Sequence, residues 1–87
     1  MAAIDEPLWL LERWWPSKGH WVVSEIQTME IVDENFVHVR SKKQAATYAR
    51  LIVLLAKAVE RWPDTLSKAD FRLRNIRTKD IVLGVLL

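Results

Sequence analysis

The hydrophobic and polar positions of the first half of the chain predict a helix and then a hairpin. Over residues 6–15 the apolar side chains recur at helical spacing on one arc, with Glu12 opposite and Trp9 on the polar side. Pro16 ends this pattern. Residues 21–40 are rich in Val, Ile, Thr and aromatic residues around a short polar turn, which favours two antiparallel strands.

The second half repeats this order with a longer helix. A broad apolar face runs over residues 42–61, and Ser41 with Gln44 forms a capping box at its start. The stretch after it alternates arginine with apolar residues and then becomes almost wholly apolar. This pattern predicts a second hairpin, with strands at 70–76 and 80–86.

The order helix, hairpin, helix, hairpin predicts an α+β fold of two layers. Both helices would pack on one face of a four-stranded, mostly antiparallel sheet. The chain of 87 residues supports one core, so we expect a single domain over residues 1–87.

The amino-acid composition indicates the cellular compartment in which the protein acts. Half of the residues are hydrophobic, which is typical of a globular protein. The chain has no cysteine, which excludes disulfides and thiolate metal sites and favours a reducing compartment. The start of the sequence lacks a basic signal region, and the apolar run "LIVLLAKAV" is too short to cross a membrane. We therefore expect a cytoplasmic protein that does not engage a membrane.

Charge is unevenly distributed although the net charge is only +2. Residues 1–35 carry two basic and seven acidic residues, whereas residues 36–79 carry eleven basic and three acidic residues. Such asymmetry is typical of a protein with an anionic partner. The alternative is that the two segments neutralise each other within one fold.

Two groups of residues place positive charge on single faces of the predicted elements. One runs along the long helix and comprises Lys43, Arg50, Lys57 and Arg61. The other lies on one face of the third strand and its expected neighbour and comprises Arg72, Arg74, Arg40 and Phe36. Basic groups beside an aromatic ring suit either single-stranded nucleic acid or an acidic protein surface. Each group could also be no more than a solvated face.

Tryptophan is abundant, with five residues in the chain. Most should lie in the core, because small domains depend on large aromatic side chains. Trp9 differs, since its helical position is polar. We therefore predict an exposed Trp9 that contacts a partner, with Trp14 or Trp15 buried.

Residues suited to catalysis are sparse. His20 and His38 are the only histidines, neither has further ligands at metal spacing, and no glycine-rich phosphate loop is present. Nothing marks a nucleophile. We expect a protein that is not an enzyme and that needs no metal or cofactor.

The ending "RLRNIRTKDIV" resembles the closing hairpins of small uncharacterised phage proteins, in which an Arg-Asn arm, a Thr-containing turn and an apolar arm recur. The resemblance covers about a dozen residues and contains no catalytic motif. It implies a small phage or prophage accessory protein. Such proteins often bind and inhibit a host factor, as anti-CRISPR proteins do.

Three hypotheses of function follow. The first is a non-enzymatic binding protein that engages an acidic protein or another anionic macromolecule through its basic surface. The second is a nucleic-acid-binding module, and the third is a homodimeric structural subunit. Self-association is expected in any case, because the ending "IVLGVLL" offers an apolar strand that a small core cannot fully bury.

Overall fold

The computed structural model describes residues 8–39 and 45–87. Within these ranges the chain forms one α-helix and seven strands in two antiparallel sheets. The strands are β1 (Leu8–Trp15), β2 (His20–Val23), β3 (Met29–Val32), β4 (Asn35–His38), β5 (Ala46–Thr47), β6 (Phe71–Asn75) and β7 (Ile81–Leu83), and the helix is α1 (Tyr48–Arg61). Short 3-10 turns occupy Glu25–Thr28, Lys68–Asp70 and Gly84–Leu86.

The main sheet has five strands. Its order is β2-β1-β6-β7. The short strand β5 also pairs with β1, on the same edge as β2. Strands β3 and β4 form a separate two-stranded sheet. The α+β class is thus right, but the predicted two helices on one four-stranded sheet are wrong: the described part of the chain has one α-helix and more strand than expected.

The first predicted helix is in fact the central strand β1. Its apolar residues lie on both faces, because Leu11 packs in the core while Leu10 and Trp14 alternate onto the opposite face. A sequence that is apolar on both faces also satisfies a wide helical arc. Pairing with β2, β5 and β6 decides in favour of the strand, since β1 then satisfies its backbone groups on both edges.

The long helix is confirmed, but it begins later than predicted. The hydroxyl of Thr47 accepts a hydrogen bond from the Arg50 backbone N–H at 3.3 Å and caps α1. Residues 46 and 47 pair with β1 instead of joining the helix. The proposed capping box of Ser41 and Gln44 lies outside the described residues.

The predicted hairpin over residues 21–40 is only half right. Its first part, β2, pairs with β1, and a 3-10 turn follows. The hairpin itself is β3–β4, and its turn falls at Asp33 and Glu34. Both turn residues have positive φ, 48° and 69°, the backbone of the tight two-residue turn that usually carries glycine.

Glu34→Gly should stabilise the protein by about 0.5–1 kcal/mol. A non-glycine residue in the left-handed region is strained by roughly 1–2 kcal/mol, and the greater freedom of unfolded glycine offsets part of the gain. Arg61 donates to the backbone carbonyl of Glu34 and not to its side chain, so this hydrogen bond survives the substitution. Urea unfolding measures the effect. Glu34→Ala, which keeps the strain, serves as the control, and an equal gain for both variants would contradict the prediction.

The core lies between one face of the main sheet and α1. Its largest fully buried side chains come from β1, α1 and β6, namely Phe71, Leu11, Leu51, Leu55 and Leu73. The β3–β4 hairpin adds Ile31 and Phe36 at the margin. In the part of the chain that the structure describes, α1 covers one face of the main sheet, and the other face presents its side chains outward.

The closing hairpin is confirmed as β6–β7, although β7 is shorter than predicted. It ends at Leu83 because Gly84 turns the chain into a 3-10 turn against Lys68–Asp70. Strand β7 lies at an edge of the main sheet. No described helix is long and apolar enough to span a membrane.

Candidate binding face of the sheet

The face of the main sheet opposite α1 is the candidate site, and we call it the open face. Strand alternation and the pairing registers assign its residues. They are Leu8, Leu10, Glu12 and Trp14 of β1, Trp21 and Val23 of β2, Arg72 and Arg74 of β6, and Ile81 and Leu83 of β7. Glu12, Arg72 and Arg74 are the only charged residues in this set.

At the centre of the open face, Arg72 and Arg74 share one carboxylate. The Nε–H of Arg72 donates to Oε1 of Glu12 at 2.8 Å, and the Nε–H of Arg74 donates to Oε2 at 3.2 Å. Glu12 is 5% exposed, so the two arginines almost enclose it. The arrangement is strong because a buried carboxylate with both oxygens bonded has its charge compensated.

Counted over the residues that the structure describes, this centre has an excess of one positive charge, since two guanidinium groups face one carboxylate. Each guanidinium has five N–H donors. In both arginines the bond to Glu12 uses only Nε–H, and no other hydrogen bond from either side chain is made to the described residues. The remaining donors can therefore meet a second carboxylate in the two-pronged geometry typical of arginine.

An apolar rim surrounds the charged centre. Leu8, Trp14, Ile81 and Leu83 are all exposed large apolar side chains. Trp21 is held in place, because the Arg72 guanidinium lies 4.4 Å from its ring centroid and Trp14 meets its ring edge-on at 5.5 Å. Large apolar side chains that are exposed together on one face are typical of a surface that contacts another protein.

The basic stripe predicted along the helix has another role in the part that the structure describes. Arg50 donates through its two terminal nitrogens to the carbonyl oxygens of Gln27 and Met29, at 3.2 and 3.0 Å. Arg61 donates to the carbonyl oxygen of Glu34 at 2.8 Å. These arginines fasten the β3–β4 hairpin to α1. Lys57 is exposed, and Lys43 lies outside the described residues.

Two residues expected beside Arg72 and Arg74 are not placed there by the structure. Phe36 lies in the separate β3–β4 sheet and packs on Trp62, with ring centroids 5.0 Å apart. Arg40 lies outside the described residues. The predicted pairing of their strand with β6 is wrong, because β1 occupies that position.

The prediction for tryptophan exposure is wrong. Trp9 is half-buried on the core side, where its ring meets Tyr48 edge-on at 5.0 Å. Trp14 and Trp15 are instead 37% and 44% exposed. The reversal follows from the strand geometry of β1, because alternation, not a helical arc, decides which side chains enter the core. Of the β1 tryptophans, Trp14 and not Trp9 is therefore exposed on the open face.

A groove of about 690 Å³ lies at the end of the sheet, between the β1–β2 hairpin and the C-terminal end of α1. Trp15, Val22, Ile26, Trp62 and Leu66 contribute its apolar walls. Arg13, Glu25 and Asp70 also line it, so its charges have both signs. The charges that line the groove therefore favour neither an anionic nor a cationic ligand.

Sequence reasoning missed Glu12, Ile81 and Leu83 as site residues. Glu12 was assigned to the polar side of a helix, and its partners are 60 and 62 residues away in the chain. A signal was present, because an isolated acid inside "LWLLERWW" is hard to place on a strand unless it is paired.

Within residues 8–39 and 45–87, no three His, Cys, Asp or Glu side chains are grouped so that they could hold a metal ion. Comparison with protein-family models, with curated proteins and with solved structures finds no match to this chain. Fold and site together define a small α+β protein in which the described residues leave one face of the main sheet uncovered, with paired arginines at its centre. Its function is inferred from that face.

Proposed function

We propose that the protein is a non-enzymatic binding protein whose open face engages an acidic protein segment. A partner carboxylate binds the free N–H groups of Arg72 and Arg74, and apolar partner side chains pack on the rim around them. The observation that supports this is the shared carboxylate: among residues 8–39 and 45–87, two guanidinium groups on a largely apolar face have only Glu12 to compensate them. A cytoplasmic location belongs to the same proposal.

A protein partner suits the open face better than a nucleic acid does. Single-stranded nucleic acid needs several cations along its backbone and flat aromatic surfaces for its bases. The open face offers one excess positive charge, and the Trp21 ring already carries the Arg72 guanidinium. The exposed residues Leu8, Ile81 and Leu83 are aliphatic, which suits apolar protein side chains.

A second copy of the chain is a poor occupant of the open face. Packing two open faces together would place two arginine pairs opposite each other with only one carboxylate for each pair. Burying the two excess positive charges in an apolar interface would be costly. An acidic segment from a different protein instead supplies the charge that is lacking.

The biological role implied by the phage resemblance fits within this proposal. Inhibition of a host factor needs only a surface that occupies an acidic region of that factor. The open face requires no chemistry to act in this way.

Two single substitutions should change the affinity for an acidic peptide in opposite directions. Arg74→Gln removes the excess charge and leaves Arg72 paired with Glu12, so affinity should fall by about tenfold to a hundredfold, the range for a charge-assisted bond of about 1.5–3 kcal/mol. Glu12→Gln raises the central charge by one unit, so affinity should rise. The ligands are peptides selected from a random library on the wild-type protein, and affinity is measured by fluorescence anisotropy.

The matched ligand control replaces the acidic residue of each selected peptide by its amide. That peptide should bind all three proteins equally weakly. A labelled oligothymidine tests the nucleic-acid alternative in parallel. The proposal is wrong if selected peptides lack carboxylates, if Arg74→Gln binds as wild type does, or if the oligonucleotide binds more tightly than the peptides. Thermal melts confirm that each variant is folded.

A further inference from the structure

Among the described residues, no strand pairs with the outer side of β7. The Asn75 N–H donates to the Asp80 carbonyl oxygen at 2.9 Å, and β6 pairs with β7 in continuous register from there. In an antiparallel ladder alternate residues bond to the same neighbour. Val82 therefore bonds to Leu73, whereas both backbone groups of Ile81 and the N–H of Leu83 point away from β6. The C=O of Leu83, the N-cap of the closing 3-10 turn, faces the Leu86 N–H.

The side chains of this edge are apolar and exposed. Ile81 and Leu83 are 48% and 49% exposed, and Val85 and Leu86 directly after them are more exposed still. Strand β7 itself has no charge, no proline and no bulge. Those are the devices by which sheet proteins prevent edge pairing, so this edge is open to pairing with another strand.

We infer that β7 pairs with β7 of a second copy of this chain, antiparallel and about a two-fold axis at Val82. Ile81 of one copy then lies opposite Leu83 of the other, and the Leu83 N–H of each copy donates to the Ile81 C=O of the other across the seam. An interface with this symmetry buries the same patch on both copies. The Ile81 and Leu83 side chains of both copies pack together on the open-face side.

A second copy suits this edge because the edge is complementary to itself. Antiparallel pairing about Val82 brings the Leu83 N–H of each copy to the Ile81 C=O of the other, and strand β7 carries no charged side chain to repel its counterpart. The other edge of the main sheet, β2, suits pairing less well. Its outward-facing residue Trp21 is already engaged by Trp14 and Arg72, and His20 adds a titratable group.

Pairing at β7 would make one continuous sheet of the two copies. Their open faces would then lie on the same side, with the β6 strands three strand spacings apart, roughly 14–15 Å. This consequence rests on the proposed function, because it gives the dimer two neighbouring carboxylate sites. The dimer itself does not depend on it.

Leu83→Pro tests the pairing with little disturbance of the fold. Leu83 has φ −69° and ψ 142°, which proline adopts without strain. The substitution removes an outward N–H and leaves the bonds between β6 and β7 intact. Sedimentation equilibrium from about 5 to 200 µM, which lies above the roughly micromolar Kd of a moderate dimer, should give a dimer for the wild type and a monomer for the variant.

Two further variants keep the result decisive. Leu83→Lys retains the N–H but brings a charge to the apolar seam, and it should also be monomeric. Val53→Lys changes an equally exposed apolar residue on α1 and should remain dimeric. A wild-type protein that is monomeric throughout, or proline and lysine variants that stay dimeric, would overturn the inference. Peptide binding by a monomeric wild type would leave the proposed function intact, so the two can fail separately.

Discussion

Replacing Gly84 by alanine should destabilise the protein by at least about 3 kcal/mol, among the largest effects expected of a single methyl group. A Cβ atom at this position would lie 1.9 Å from the carbonyl oxygen of Lys68 and 2.6 Å from that of Phe71. Both are backbone atoms, which cannot turn aside as a flexible side chain can. The chain must therefore shift at β6 or at the closing 3-10 turn.

The contact at Gly84 joins two parts of the fold. The turn Gly84–Leu86 packs against Lys68–Asp70, and the Lys68 ammonium donates to the Leu87 carbonyl oxygen at 2.9 Å. Displacing Gly84 would separate these turns and disturb the start of β6, where Phe71 is fully buried. The loss should therefore reach the core and not remain local.

Guanidinium unfolding of Gly84→Ala and Gly19→Ala measures this effect against a matched control. Gly19 has φ +64°, and a Cβ atom there would meet nothing within 4 Å. Its substitution should therefore cost only the strain of the left-handed backbone, about 1 kcal/mol. Equal unfolding midpoints for the two alanine variants would show that the close approach at Gly84 is not a constraint.

Local patterns predicted the elements whose partners are close in sequence. The turn at Asp33 and Glu34 and the hairpin β6–β7 follow from turn residues between β-rich segments, and most of α1 follows from its apolar face. The closing turn at Gly84 was not foreseen, since only the approach of the Lys68 carbonyl explains why glycine is needed there.

The middle of the main sheet was mispredicted because its pairing is non-local. Strand β1 is apolar on both faces, so its periodicity fits a helix as well as a strand. Only pairing with β6, some 60 residues later, settles the choice. Thr47 likewise caps α1 because residues 46 and 47 pair with β1, which no pattern within the helix reveals.

The arginines of β6 show how much of the candidate site can be predicted from the sequence. Alternation with Phe71 and Leu73 correctly places Arg72 and Arg74 on one face. It does not reveal the partner, because Glu12 meets them only once β1 and β6 are in register. The sequence therefore suggests a free basic surface, whereas the structure has a centre that is partly compensated and has one charge in excess.

This compensation makes the arginine pair a stability element. Glu12 accepts its two side-chain hydrogen bonds from Arg72 and Arg74, and its carboxylate is almost enclosed. Removing both arginines would leave a buried charge without a partner. The penalty for a buried ion that loses its partners is about 3–5 kcal/mol. Reversing both charges, as a test of a merely solvated face would do, should therefore unfold much of the protein.

The double variant Arg72→Gln with Arg74→Gln should lose about 3–5 kcal/mol of unfolding free energy. Adding Glu12→Gln to it should recover most of that loss, because three neutral amides can bond to one another and no charge stays buried. Urea unfolding of the wild type, the double variant and the triple variant gives the coupling directly. Lys57→Gln with Arg77→Gln removes the same charge from exposed positions and should change stability by less than about 1 kcal/mol. A triple variant no more stable than the double would mean that the arginines act through packing on Trp21 and the rim, not by compensating Glu12.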